Sequence, residues 1–169
     1  MPLTYALDGT ASIRLETRRG QSIENVQDPE YTAHQREMEE RKLIALFPLE
    51  VSGSVKRRDA SNIYNCHGMT FALRRTAILE ERFVQQVLTD DGYREIMRKQ
   101  AMPGDVVLYY NASGLSHSGI VVFVDHSLKT PLIKVMSKWG RAGEFVHDEN
   151  VHPYRDVNQV RFFRDYSDA

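Results

Sequence analysis

A cysteine, a histidine and a glycine stand together in "YNCHGMTFALRR", residues 64 to 75, and this cysteine, Cys66, is the only one in the chain. A thiol reacts as its thiolate, so near neutral pH it needs help to lose its proton. Two sources of help can be read from the residues. The apolar spacing of Met69, Ala72, Leu73 and Thr76 predicts a one-sided helix that begins at Cys66. Free backbone N–H groups and the positive end of the helix dipole at its first turn would favour the anion, and could also stabilise an oxyanion. The second source is a base. His117 falls at the start of a predicted strand, "SHSGIVVFVDH", and a sheet could hold it rigidly against a helix packed on it. The competing interpretation is a small buried thiol beside an unrelated histidine, but "NCHG" is polar for an ordinary core segment. Gly68 would leave room for a substrate backbone next to the thiol.

These residues need elements to position them. The first 28 residues alternate weakly and read as a short hairpin or an irregular arm. "DPEYTAHQREMEERKLIALF" reads as a helix, with Asp28 capping it, Pro29 in its first turn and Pro48 stopping it. "EVSGSVKRRDASN" is polar and reads as a loop that delivers the chain to Cys66. After the Cys66 helix, Phe83, Val84, Val87 and Leu88 mark a second helix that stops near Asp91 and Gly92. The period then changes. "MPGDVVLYYN", "SHSGIVVFVDH" and "PLIKVMSKW" are three β-prone runs, and "NQVRFFRDY" is a fourth. Helices first and a strand meander second predict an α+β domain rather than a doubly wound parallel sheet. The division expected is an N-terminal extension, residues 1–58, made of an arm and a helix, and then a catalytic domain, residues 59–169.

Composition narrows the function. The 169 residues suit one domain, and 22 basic against 23 acidic side chains leave a net charge of −1, so nucleic acid is not an expected ligand. A lone cysteine makes no internal disulfide, which fits a reducing compartment such as the cytoplasm. No run approaches the roughly 18 apolar residues of a membrane span, and the N-terminus lacks a secretory pattern, so export would use a signal-independent route.

From Asn62 to Tyr166 the sequence resembles the bacterial NlpC/P60-like branch of the papain-fold cysteine peptidases and amidases. In that family a "DCSG"-like motif opens the nucleophile helix, a "GD" strand comes next, and an "H-x-G" strand carries the base. Here these read "NCHGMTFA", "GDVVLYY" and "HSGIVVF", in the same order. The resemblance implies a papain-like α+β fold with the nucleophile helix on an antiparallel sheet. It also implies Cys66 as nucleophile and His117 as general base, with hydrolysis of a peptide or other amide through an acyl-enzyme and without a cofactor. The residue that orients the imidazole should come from the next strand, where Ser137 occupies the matching place, or from His147 in "GEFVHDENVHPY". Asn65 stands where cell-wall peptidases of the family commonly have Asp, so the resemblance does not extend to peptidoglycan specificity. Asn65, His67, Gly68 and Trp139 are the expected substrate-lining residues, with the indole of Trp139 as an apolar wall.

Other classes compete. Cys66, His67, His117, His126, His147 and His152 include usable zinc ligands, but CxxC, HExxH and deaminase patterns are missing, so no metal is expected. A papain-like fold could instead serve as a non-catalytic binding module. The same thiol could also run deamidation or acyl transfer, since an acyl-enzyme only needs a different acceptor. The N-terminal extension could shield the cleft or recruit a protein partner, and both a housekeeping hydrolase and a delivered effector suit the compact size.

Overall fold

The computed structural model describes Thr4–Tyr5 and residues 10–166. It is an α+β arrangement built on one antiparallel sheet of seven strands. In chain order the elements are β1 (Thr4–Tyr5), β2 (Ala11–Ser12), α1 (Ala33–Leu46), α2 (Pro48–Ser52), β3 (Val55–Arg58), α3 (Cys66–Phe71) and α4 (Glu81–Asp90). Next come β4 (Tyr93–Ile96), a 3₁₀ turn (Arg98–Gln100), β5 (Val106–Asn111), β6 (Gly114–Asp125), β7 (Leu132–Lys138), β8 (Glu144–Asp148) and β9 (Gln159–Asp165). The large sheet has the order β3-β8-β7-β6-β5-β9-β4, and β1 pairs separately with β2.

The four runs expected as strands are β5, β6, β7 and β9, and β5 to β7 form a meander of adjacent neighbours. Three further strands were not expected from the sequence. The polar segment "VKRR" is β3, exposed along its length and paired with β8 at the sheet edge, so it lacks the half-buried alternation that marks a strand in sequence. "YREI" pairs with β9 as β4. "EFVHD" is β8, held between β7 and β3.

The helices differ from expectation mainly at their ends. Thr32, not Asp28, caps α1: its hydroxyl accepts from Gln35 N and the Gln35 side chain accepts from Thr32 N, a reciprocal pair that outcompetes an upstream Asp-Pro. Pro48 does not simply stop α1 but opens α2, where its missing N–H costs nothing. The Cys66 helix was expected to run to Thr76 and ends at Phe71, because Leu73 and Arg74 adopt left-handed backbone at φ 52° and 65°. Helix α4 buries Val84, Val87 and Leu88, each contributing about 1.5–3 kcal/mol.

The two sheet faces have separate cores. Val106, Leu108, Tyr110 and Phe163 pack with Ala72, Ile78 and the buried residues of α4. On the opposite face, Val107, Tyr109, Val121, Val135 and Phe162 cluster with Ala101. A third cluster joins Leu43 of α1 to Trp139, Ala142 and Phe145. The segment expected to form an N-terminal extension is therefore drawn into the body: Leu15 and Ile23 enter the first cluster, β3 completes the sheet edge, and Arg18 makes two bonds to Asp165, at 2.8 and 2.6 Å.

Candidate functional site

Cys66 is the first residue of α3 and is half-buried. The N-cap, Asn65, explains why the helix begins there. Its side-chain oxygen accepts from Gly68 N at 2.8 Å and Ile78 N at 3.1 Å, and its amide donates to Ile78 O. Asn65 thus spends its polar atoms on the backbone and fixes the thiol's position. The helical ladder starts with Met69 N donating to Asn65 O, so the N–H groups of Cys66 and His67 have no intrahelical acceptor. Gly68 has a structural reason too. A Cβ there would lie 1.8 Å from Thr76 O, so the space expected for a substrate is filled by the chain leaving the helix.

Two imidazoles act on the thiol. Burial pushes the Cys66 thiol up, but the charges and hydrogen bonds of His67 and His117 together hold it well below the ordinary thiol range. Burial alone would lower His67, and the neighbouring thiolate reverses that, leaving it raised. The pair is therefore biased toward thiolate and imidazolium.

His67 is anchored by a chain of side chains. Its Nδ1 lies 2.9 Å from Ser118 Oγ, Ser118 Oγ lies 3.0 Å from Thr70 Oγ1, and Thr70 Oγ1 donates to Cys66 O at 2.9 Å. Since the Thr70 proton goes to a carbonyl, Thr70 accepts from Ser118, and Ser118 in turn accepts from His67 Nδ1–H. That order leaves Nε2 of His67 as the basic nitrogen.

His117 is fully buried on β6. It pairs across the ladder with Tyr109, beside a register shift between Tyr109 and Tyr110, the kind of bulge that re-aims a side chain. Neither ring nitrogen has a partner at full hydrogen-bond geometry, although the imidazole is near enough to Cys66 to lower the thiol. Rings hold it instead. Tyr154 stacks on it at 4.1 Å and 27°, and Tyr109 lies at 5.3 Å. Tyr154 is pinned in turn, accepting from Gly140 N at 2.9 Å.

The two residues expected to orient His117 bond to each other. Ser137 Oγ lies 2.7 Å from His147 Nε2, Trp139 Nε1 donates to Ser137 Oγ at 3.1 Å, and His147 Nδ1 lies 2.8 Å from Asp148 O. With Nδ1 donating to Asp148 O and the ring neutral near pH 7, Nε2 accepts from Ser137, so the chain runs Trp139 to Ser137 to His147 to Asp148 O and both nitrogens are engaged. Burial lowers its pKa to about 4. Trp139 is 1% exposed and stacks on Phe145 at 4.4 Å, which makes it core rather than a substrate wall.

Sequence reasoning missed Tyr154, Tyr109 and Ser118, and also a buried charged group behind the thiol. Lys138 is 1% exposed, donates to Gly140 O and Ala142 O, and lies 5.4 Å from the Tyr64 ring. Burial lowers its pKa to about 8. Glu144, also buried, takes one bond from Tyr64 Oη and two from Arg74, which they anchor. The left-handed residues that end α3 aim it there. Asp105 of the "GD" motif is likewise structural, accepting from Met102 N and twice from Arg164.

Among the described residues no group of three or more His, Cys, Asp or Glu side chains is arranged to hold a metal ion, and no helix is long and apolar enough to cross a membrane. No protein-family model matches the chain, and neither a curated protein nor a solved structure gives a match.

Proposed function

We propose that the protein is a cysteine-dependent amide hydrolase of papain-like, NlpC/P60 type, acting on a peptide or other amide through an acyl-enzyme. The observation that carries this reading is the thiol itself: Cys66 opens a helix, is half-buried, and is pulled well below the ordinary thiol range by His67 and His117. A structural cysteine has no need of two imidazoles.

In this mechanism the Cys66 thiolate attacks the carbonyl carbon while the N–H groups at the start of α3 receive the developing oxyanion. His117 hands the proton taken from the thiol to the leaving amine, then takes a proton from the water that cleaves the thioester and returns it to the departing Cys66 sulfur. Tyr154 and Tyr109 keep its ring in plane in place of a hydrogen-bonding third residue. His67, with Ser118 behind it, holds the thiolate by charge. If an amine replaces water as acceptor, the same steps give acyl transfer.

One observation favours a non-catalytic papain-like binding module: Ser137 and His147 bond to each other and not to His117. Alkylation of native protein by iodoacetamide between pH 4 and 10 separates the two. A hydrolase shows a Cys66 rate that stays high far below the ordinary thiol pKa of about 8.5. A thiol that reacts only as it titrates near that value removes the hydrolase reading.

A further inference from the structure

A cavity of about 450 Å³ lies between α1 and the loop that leads into α3. Arg36, Arg58, Arg74, Glu30 and Asp59 line it, and it closes on Tyr64, just ahead of Asn65 and Cys66 in the chain. Three of these charges are already engaged. Glu30 accepts from Ser61 Oγ, Asn62 N and Tyr31 N; Asp59 pairs with Lys56 at 2.7 Å; Arg74 is held by both oxygens of Glu144.

Arg36 and Arg58 are different. Arg36 Nε is buried with no hydrogen-bond partner, and Nη2 makes only a long 3.4 Å bond to Tyr31 O. Arg58 approaches Glu144 at 3.8 Å with its side chain 61% exposed. A guanidinium carries five donors in a planar fork that matches a carboxylate, and a buried donor without an acceptor is costly. The cavity thus offers two forks with hydrogen-bonding capacity left over, Arg58 meeting Glu144 only as an ion pair at 3.8 Å and Arg36 feeling Glu30 and Asp59 only through their charge, and those two wall carboxylates disfavour a dianion.

We infer that this cleft binds a carboxylate of a peptide, with Arg36 and Arg58 as the recognising groups, so that the residues ahead of the thiol select an acidic or free C-terminal substrate. Cleavage of the bound peptide rests on the hydrolase reading; the binding itself needs no reactive thiol. The charge-assisted bonds of such a contact are about twice as strong as neutral ones, so amidation of the ligand should remove most of the affinity.

The test uses full-length Cys66→Ser protein and the NMR signals of the arginine Nε–H groups. It is titrated separately with N-acetyl-dialanine bearing a free carboxylate, with the same peptide amidated, and with inorganic phosphate. The free acid should shift the Arg36 and Arg58 signals, the amide should leave them in place, and Arg58→Gln should weaken the binding about tenfold. Equal shifts from both peptides, stronger binding of phosphate than of the free acid, or no shift with any ligand overturns the inference. Alkylation of the wild type reports the hydrolase reading separately: shifts with an inert thiol retain the cleft and remove the enzyme, and a reactive thiol without shifts removes the cleft alone.

Discussion

Two buried histidines stand on strands of one sheet and are held in opposite ways. His147, on β8, has both ring nitrogens in a chain that runs from Trp139 through Ser137 to Asp148 O. His117, on β6, has neither nitrogen at full hydrogen-bond geometry and is gripped by the rings of Tyr154 and Tyr109. A histidine whose tautomer is fixed from both sides cannot exchange protons without breaking that chain. One held by stacking keeps its nitrogens for chemistry. The contrast gives the first a structural role and leaves the second available for the proton transfer that the proposed mechanism asks of it.

The largest effect expected is from Cys66→Ser, which should abolish turnover with the melting curve nearly unchanged, since oxygen replaces sulfur at little change in volume. Retained turnover would take the nucleophile away from Cys66. His117→Ala comes next, with a loss of about 10²- to 10⁴-fold in kcat and a rise in the pH at which Cys66 becomes alkylated. If the matching substitution at His147 costs as much activity, the contrast between the two histidines fails. His67→Gln should raise the pH of half-maximal alkylation as well, with a loss of about tenfold in kcat/KM at neutral pH. An unchanged alkylation profile would show that His67 does not act on the thiol.

The smallest effect on activity is expected from His147→Leu. It should leave the alkylation profile in place and cost about 1–3 kcal/mol of stability, because Ser137 loses the acceptor of its proton. Its pH signature is specific. The folded value of about 4 lies below the ordinary 6.5, so the unfolded chain binds a proton that the folded chain refuses. Stability from this group is full above about pH 6.5 and is lost as the pH falls toward 4, by on the order of 3 kcal/mol. Thermal unfolding across that range should fall less steeply in His147→Leu than in the wild type; equal slopes would place the titration elsewhere.

Several features were legible because they rest on local rules. The apolar spacing of Val84, Val87 and Leu88 gives α4, and the β-branched runs give β5, β6 and β7. The start of α3 at Cys66 comes from a local cap as well, the bond from Gly68 N to the Asn65 side chain. Strand β3 was not legible, since "VKRR" is exposed and becomes a strand only by pairing with β8. Nor was the end of α3. Met69, Ala72, Leu73 and Thr76 carry a helical period, yet Gly68 packs against Thr76 and the chain turns back through Leu73 and Arg74. Tertiary packing overrode the period there.

The sequence by itself determined the chemistry available: one thiol at a helix start, histidines to serve it, and a helix-then-strand order that makes an α+β domain. It did so because residue type, capping and periodicity act over a few neighbours. Only the tertiary structure decided which histidine meets the thiol, that His67 joins His117 there, and that Ser137 and His147 turn to each other. It also set Arg36 and Arg58 around one cavity ahead of Cys66. Those outcomes depend on strand register, a bulge and ring stacking between residues far apart in the chain, and no local pattern encodes them.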